Sequence, residues 1–156
     1  MSRGGADLAL LLLGGFRFMA EEAAERLAAR GYPGVRPAHD FALRAVAGGA
    51  ESVSEVGRRT SVSKQAAAKT VAFLEENSYI LRSADPGDGR RARLKVTERG
   101  HSLMHEGEAV FDELRAEWEA RVGRERVADL QDALLRLLGT DDEIIGALAP
   151  GRSGSD

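Results

Sequence analysis

The 156-residue chain contains no cysteine, which removes disulfide scaffolds, thiolate-bound zinc, thiol redox sensing and cysteine nucleophiles from consideration. That absence fits the cytoplasm, which is the expected compartment. No stretch reaches the roughly 18 consecutive apolar residues that cross a bilayer, so no membrane partner is expected. The apolar block over residues 8–13, behind Arg3, could serve as the core of a secretory leader. Against that reading, Asp7 borders the block, and Glu21, Glu22, Glu25, Arg26 and Arg30 continue a helical pattern with no clear small-residue cleavage site. A structural helix is the better expectation.

Catalytic signatures are also missing. Gly4-Gly5 and Gly14-Gly15 lack the spacing of a phosphate-cradling loop, and neither a Ser-His-Asp order nor an isolated carboxylate pair stands out. The chain is therefore read as no enzyme, and no cofactor is expected. His101 and His105 lie one helical turn apart with Glu106 and Glu108 nearby, but His39 is the single further histidine. Without cysteine, that pair reads as polar surface rather than a metal site.

The composition is that of one folded domain spanning residues 1–156: 43% hydrophobic and 30% charged. The net charge of −3 conceals an asymmetry. Residues 52–99 carry ten Lys or Arg against six Asp or Glu, hence +4, which leaves −7 for the remainder. A basic segment on an acidic body attracts a polyanion locally while the rest of the surface limits indiscriminate adhesion.

Periodicity predicts a first helix from about residue 6 to 29, stopped by Gly31, Pro33 and Gly34. Gly14 and Gly15 each cost on the order of 1 kcal/mol relative to alanine there, so a bend or break is expected at that point. Pro37 suits the first turn of a second helix ending at Gly48 and Gly49. Ser52 and Glu55 have capping-box spacing and start a short third helix. After Thr60, Ser61 and Val62, a fourth begins near Ser63 and runs to about Asn77, and two helices so closely joined form a helix-turn-helix candidate. Residues 79–83 and 92–96 read as strands around the turn-forming Asp85-Pro86-Gly87-Asp88-Gly89. A long helix follows from about Glu98; Gly123 interrupts it, a second stripe runs from Val127 to Leu138 and stops at Gly139, and residues 150–156 read as a disordered tail.

The helix that opens with Ser63, Lys64 and Gln65 and continues through Lys69 and Thr70 has a polar, cationic outer face. Serine and glutamine bond base edges or phosphates, lysine bonds phosphates or guanine, and Ala66 and Ala68 permit close approach to a groove. Taken alone, an ordinary solvated face is the better reading of these residues. Arg90, Arg91 and Arg93 concentrate at the hairpin, where Asp85 and Asp88 can brace them, so a wing reaching a narrow minor groove is the functional alternative to a tip kept polar for solubility; Arg90 is the foremost candidate.

From about Pro37 to Gly100 these motifs resemble the MarR family of bacterial winged-helix regulators: Val62-Ser63-Lys64-Gln65-Ala66-Ala67, Leu74-Glu75-Glu76, Asp85-Pro86-Gly87-Asp88-Gly89-Arg90-Arg91 and Val96-Thr97-Glu98-Arg99-Gly100. The resemblance implies a mainly α fold with a small β-hairpin wing (α+β). Residues 37–100 would form the winged helix-turn-helix, and helices over 6–30 and 101–146 a dimerisation region. It implies a sequence-specific regulator, a repressor, that binds a pseudopalindromic operator in double-stranded DNA as a homodimer. Ser61, Ser63, Lys64, Gln65, Lys69, Thr70, Arg90, Arg91 and Arg93 would meet DNA, with Asp88 supporting Arg90. It also implies release by a small-molecule effector, for which Phe16, Arg17, Tyr32, His39 and Phe41 are candidate cleft residues, although plain core packing accounts for aromatics there. Two departures stand out: Ser78 replaces the usual glycine after the recognition helix, which leaves Asn77 to adopt the left-handed conformation, and Phe73 occupies a position often polar in the family, where it would pack on the wing or on a neighbouring helix. A winged-helix module that binds protein instead of DNA is the alternative.

Overall fold

The computed structural model describes residues 4–85 and 87–139; of residues 85 and 88–91 it describes the backbone alone. The element order is α1 (Gly5–Ala29), α2 (Pro37–Ala47), α3 (Val53–Arg59), α4 (Lys64–Glu76), β1 (Ile80–Asp85), β2 (Asp88–Val96), α5 (Glu98–Val122) and α6 (Arg124–Leu138). The fold is mainly helical with one two-stranded antiparallel sheet. The tail over 150–156, and the end of the proposed dimerisation segment at 140–146, lie outside the described residues.

Local chemistry sets most boundaries. Pro37 sits at the first turn of α2, Thr97 Oγ1 accepts the Gly100 N–H at the start of α5, and Gly123, at φ 98°, separates α5 from α6. Ser52 Oγ accepts the Glu55 N–H at 3.2 Å, while the Glu55 carboxylate accepts from the Glu51 N–H, one residue ahead of the usual partner.

Three expectations need correction. The helix α1 passes through Gly14 and Gly15 unbroken. Two penalties of about 1 kcal/mol are small against a helix that continues cooperatively on both sides and is packed on α5. Gly15 lies beside the indole of Trp118, which an added Cβ would meet at 3.6 Å, an ordinary contact. The hairpin is longer than expected: β1 begins at Ile80 and reaches Asp85, and β2 begins at Asp88, with an irregularity between Ala84 and Asp85. Finally, Ser78 and not Asn77 is left-handed, at φ 62°; Asn77 stays at φ −93° and donates its side-chain amide to Phe73 O. The Tyr79 N–H bonds Leu74 O and the Ser78 N–H bonds Glu75 O, completing a Schellman ending on a serine. Thr97 Oγ1 donates to Ser78 O at 2.6 Å and holds that conformation from the far end of the hairpin.

Leu43 of α2, Val56 of α3, Val71 and Leu74 of α4, Tyr79 at the root of β1, and Leu103, Val110 and Leu114 of α5 are fully buried in one core. Gly100 is where α5 meets β1: a Cβ there would stand 2.2 Å from Tyr79 O, so no larger residue fits without displacing backbone. α1 joins α5 through Ala23, Leu27 and the Phe18–Trp118 ring pair, with ring centroids 6.4 Å apart. An ion-pair band reinforces that seam: Arg26 meets Glu22, Glu113 and Glu117, and Arg30 meets Glu106 and Glu113. The hydrogen bond from Arg30 holds the Glu113 carboxyl below its ordinary range.

Candidate nucleic-acid interface

Helices α3 and α4 are joined by a turn whose geometry is closely determined. Thr60, buried, donates its hydroxyl to Val56 O at 2.8 Å, and the Val62 N–H closes onto Gly57 O at 2.9 Å. Ser61, at φ 53°, provides the left-handed residue between them. A Cβ on Gly57 would come within 3.4 Å of the Ala67 Cβ, so glycine lets α4 cross close over α3. The crossing directs one side of α4, Ala67, Val71 and Leu74, into the core, and the other outward.

On the outward side Lys64, Gln65, Ala68 and Lys69 are exposed. Ser63 is exposed too, but it is the N-cap rather than part of the helix, and its Oγ accepts the Ala66 N–H at 3.1 Å. Thr70 is half-buried and donates its hydroxyl to Ala66 O. The two hydroxyls thus hold the helix, while Lys64, Gln65 and Lys69 present their side chains to solvent. The half-buried Ser61 remains in the turn behind them.

The wing is anchored at its root. The Leu94 N–H donates to Glu51 O at 3.0 Å, and Arg93, one of the residues expected to contact DNA, pairs with the Glu51 carboxylate at 3.1 Å, two residues before α3. Arg82 pairs with Glu75 of α4 at 2.9 Å and ties β1 to the same helix. The backbone of Asp85, Asp88, Arg90 and Arg91 lies in the hairpin, and their side chains are outside the described residues. Two further exposed cations, Arg58 in the last turn of α3 and Lys95 on β2, fall in no motif. Arg59, next to Arg58, has a structural task, donating to Gly48 O at the end of α2.

A cavity of about 160 Å³ lies between α1, α2 and α5. It takes in Phe16 and Phe41, with Leu27, Val35 and Phe111, and leaves out Arg17, Tyr32 and His39. One residue along a helix turns a side chain by about 100°, which separates Arg17 from Phe16 and His39 from Asp40. Tyr32 instead packs with Tyr79, and the Arg99 guanidinium lies 5.1 Å from both ring centroids while donating to Gly31 O. His39 stacks on Phe73 of α4, ring centroids 3.8 Å apart, so Phe73 packs on a neighbouring helix and not on the wing. Among the described residues no group of three potential ligands for a metal ion is assembled, and no helix is long and apolar enough to cross a membrane.

Solved structures of MarR-family transcriptional regulators share this arrangement of helices and wing. The fold is that of the MarR-family regulators. The MarR-family protein Rv2887 of Mycobacterium tuberculosis, in complex with p-aminosalicylic acid, is 24% identical, with 83% of this chain matched to 97% of that one at a TM-score of 0.62. The F27L mutant of MepR from S. aureus, bound to an oligodeoxyribonucleotide, is 16% identical, with 84% matched to 95% at a TM-score of 0.58. A curated relative, the HTH-type transcriptional regulator BilQ of Clostridioides difficile, is 26% identical over 74 residues, 47% of each chain, so the match spans about half the length of that relative. No protein-family model matches the chain. The matched structures from Rhodococcus sp. RHA1 and Thermotoga maritima are likewise of transcriptional regulators.

Proposed function

We propose that this chain is a cytoplasmic, sequence-specific DNA-binding regulator, a repressor, that grips a pseudopalindromic operator as a homodimer. The observation that carries the reading is the outward side of α4: Lys64, Gln65 and Lys69 stand exposed at and near the N-terminal end of a helix whose opposite side is locked into the core. A helix so placed enters a major groove N-terminus first, where lysines neutralise phosphates and glutamine reads adenine. In this reading Ser61 and Ser63 flank the entry, Thr70 backs it, and Arg90 and Arg91, supported by Asp85 and Asp88, extend the wing toward the minor groove. Arg93 acts through the wing root, where it holds Glu51. The likeness to a MepR variant solved on an oligodeoxyribonucleotide supports the same conclusion.

The dimer is supported by what the single chain leaves uncovered. Leu8, Leu10, Leu11, Leu12 and Leu13 of α1 and Leu130, Leu135, Leu137 and Leu138 of α6 are all exposed. A two-fold partner that covers the ends would set two α4 helices about one DNA turn apart. Release by a small, largely apolar effector is supported by the cavity between α1, α2 and α5, and by the aromatic acid in the complex of Rv2887.

The test is fluorescence anisotropy with the intergenic DNA upstream of the protein's own gene, at several salt concentrations, beside an unrelated duplex. Specific binding that weakens steeply with salt is expected, because counterions are released from each neutralised phosphate. Arg90→Ala should weaken that binding by about 1–3 kcal/mol and leave the dimer intact. Salt-indifferent capture of a protein partner, with no DNA affinity, would overturn the reading in favour of an interaction module.

A further inference from the structure

The recognition helix touches α2 through a contact that the DNA-reading motif does not contain. Phe73, one helical turn beyond Lys69 on α4, lies flat against the His39 ring, with an interplanar angle of 17°. The ring also lies beside Gly34, where an added Cβ would come within 3.4 Å of it, and packs against the core. His39 is itself fixed: its Nδ1 accepts the Arg36 N–H at 2.9 Å and so caps the first turn of α2. That bond requires a neutral ring with its proton on Nε2. The same turn presents Pro37, Asp40 and Phe41 to the cavity between α1, α2 and α5. One turn of helix therefore faces the cavity on one side and the recognition helix on the other.

We propose that the His39–Phe73 stack is the positioning contact that holds α4 at its DNA-reading angle, and that proton uptake at His39 releases it. The inference rests on the DNA-binding reading for its biological meaning. When Nδ1 gains a proton it can no longer accept from Arg36, so the two N–H groups oppose each other and the ring must leave the cap. The charges around the ring divide. Arg36 on its own helix and Lys69 across the hollow oppose a cation, as does the positive end of the α2 dipole, while Glu76 of α4 and the face of Phe73 attract one. Asp40, next in sequence, is occupied by Arg44 at 2.8 Å. On α4, Lys69 offsets Glu76, while at the cap the Arg36 N–H and the α2 dipole both oppose the proton, so a charged ring turns out of the cap and loses its parallel alignment with Phe73. Burial, followed by the charge of Arg36, lowers the His39 pKa from the usual 6.5. The contribution of the neutral ring is thus complete above that value and is lost as pH falls below it through the lower, folded-state pKa.

The experiment uses the full chain and a duplex that the protein selects from a random pool. Anisotropy at constant salt should show the wild type holding its affinity above 6.5, the usual histidine value, and losing about tenfold as pH falls below it. His39→Gln keeps an acceptor for the Arg36 N–H that does not titrate but removes the stacked ring, so it should bind more weakly than the wild type at neutral pH and then fall about threefold or less on acidification. Phe73→Leu should bind more weakly at neutral pH and lose the acid response. In parallel, NMR of the wild type without DNA follows the His39 and Phe73 rings, and both should move with one midpoint. An acid profile of His39→Gln that superimposes on the wild type would overturn the proposal, as would Phe73 signals that stay still while His39 titrates. If no duplex is selected, the DNA-binding reading fails, and the NMR midpoints still decide the stack.

Discussion

The middle of the chain and its two ends treat leucine differently. Leu43, Leu74 and Leu103 are fully buried, whereas Leu11 in α1 is 60% exposed and Leu137 in α6 is 80% exposed. The ends are no poorer in apolar residues than the middle. The middle closes on itself because α2, α3, α4 and the hairpin cross at short range, each helix covering the inner side of the next. The ends, α1 and α6, pack chiefly along α5, and a rod in contact mainly along one seam leaves most of its circumference open. Burial in this molecule thus follows topology, and an apolar stripe left open by topology points to a second surface.

Three substitutions test that contrast, beginning with the largest effect. Leu43→Ala removes a fully buried side chain and should lower the stability of the middle by about 3 kcal/mol, read from urea denaturation, with no dependence on protein concentration in the loss. A paired Leu11→Asp and Leu137→Asp should act in the opposite manner, lowering the dimer affinity by about 2 kcal/mol in sedimentation while the core remains folded. A double variant that sediments as the wild type would mean that the ends face no partner. The smallest effect is a gain: Ser78→Gly should add about 0.5–1 kcal/mol, because φ 62° is free of strain for glycine. A loss at that position would show that the serine side chain contributes more than its backbone conformation costs.

Much of the fold was legible because its boundaries are written in local chemistry. Pro37, Ser52 with Glu55, and Gly123 act within one turn of themselves, and a reader of sequence sees the same atoms that the helix end does. Features decided across the fold were not legible. Ser78 is held left-handed by Thr97, a residue 19 positions later, and no local rule selects it over Asn77. The hairpin grew beyond the expected strands because a turn-rich sequence does not reveal how far pairing continues into it. The site divides in the same way. The exposed Lys64, Gln65 and Lys69 follow from helical spacing, whereas the hydroxyls of Ser63 and Thr70 and the guanidinium of Arg93 are taken up by partners in the protein. Cavity membership hinged on a single step of helical phase at Phe16 and Arg17, finer than periodicity resolves.

The anchoring of the wing at Glu51 has a consequence for how such a molecule can change. Since Leu94 and Arg93 secure the hairpin at its root, lengthening or shortening the tip by one residue in each strand leaves the inner-facing side chains in phase and the helix-turn-helix undisturbed. The outer reach of the hairpin is therefore a separately adjustable part: its length can change while the helix beside it keeps its aim.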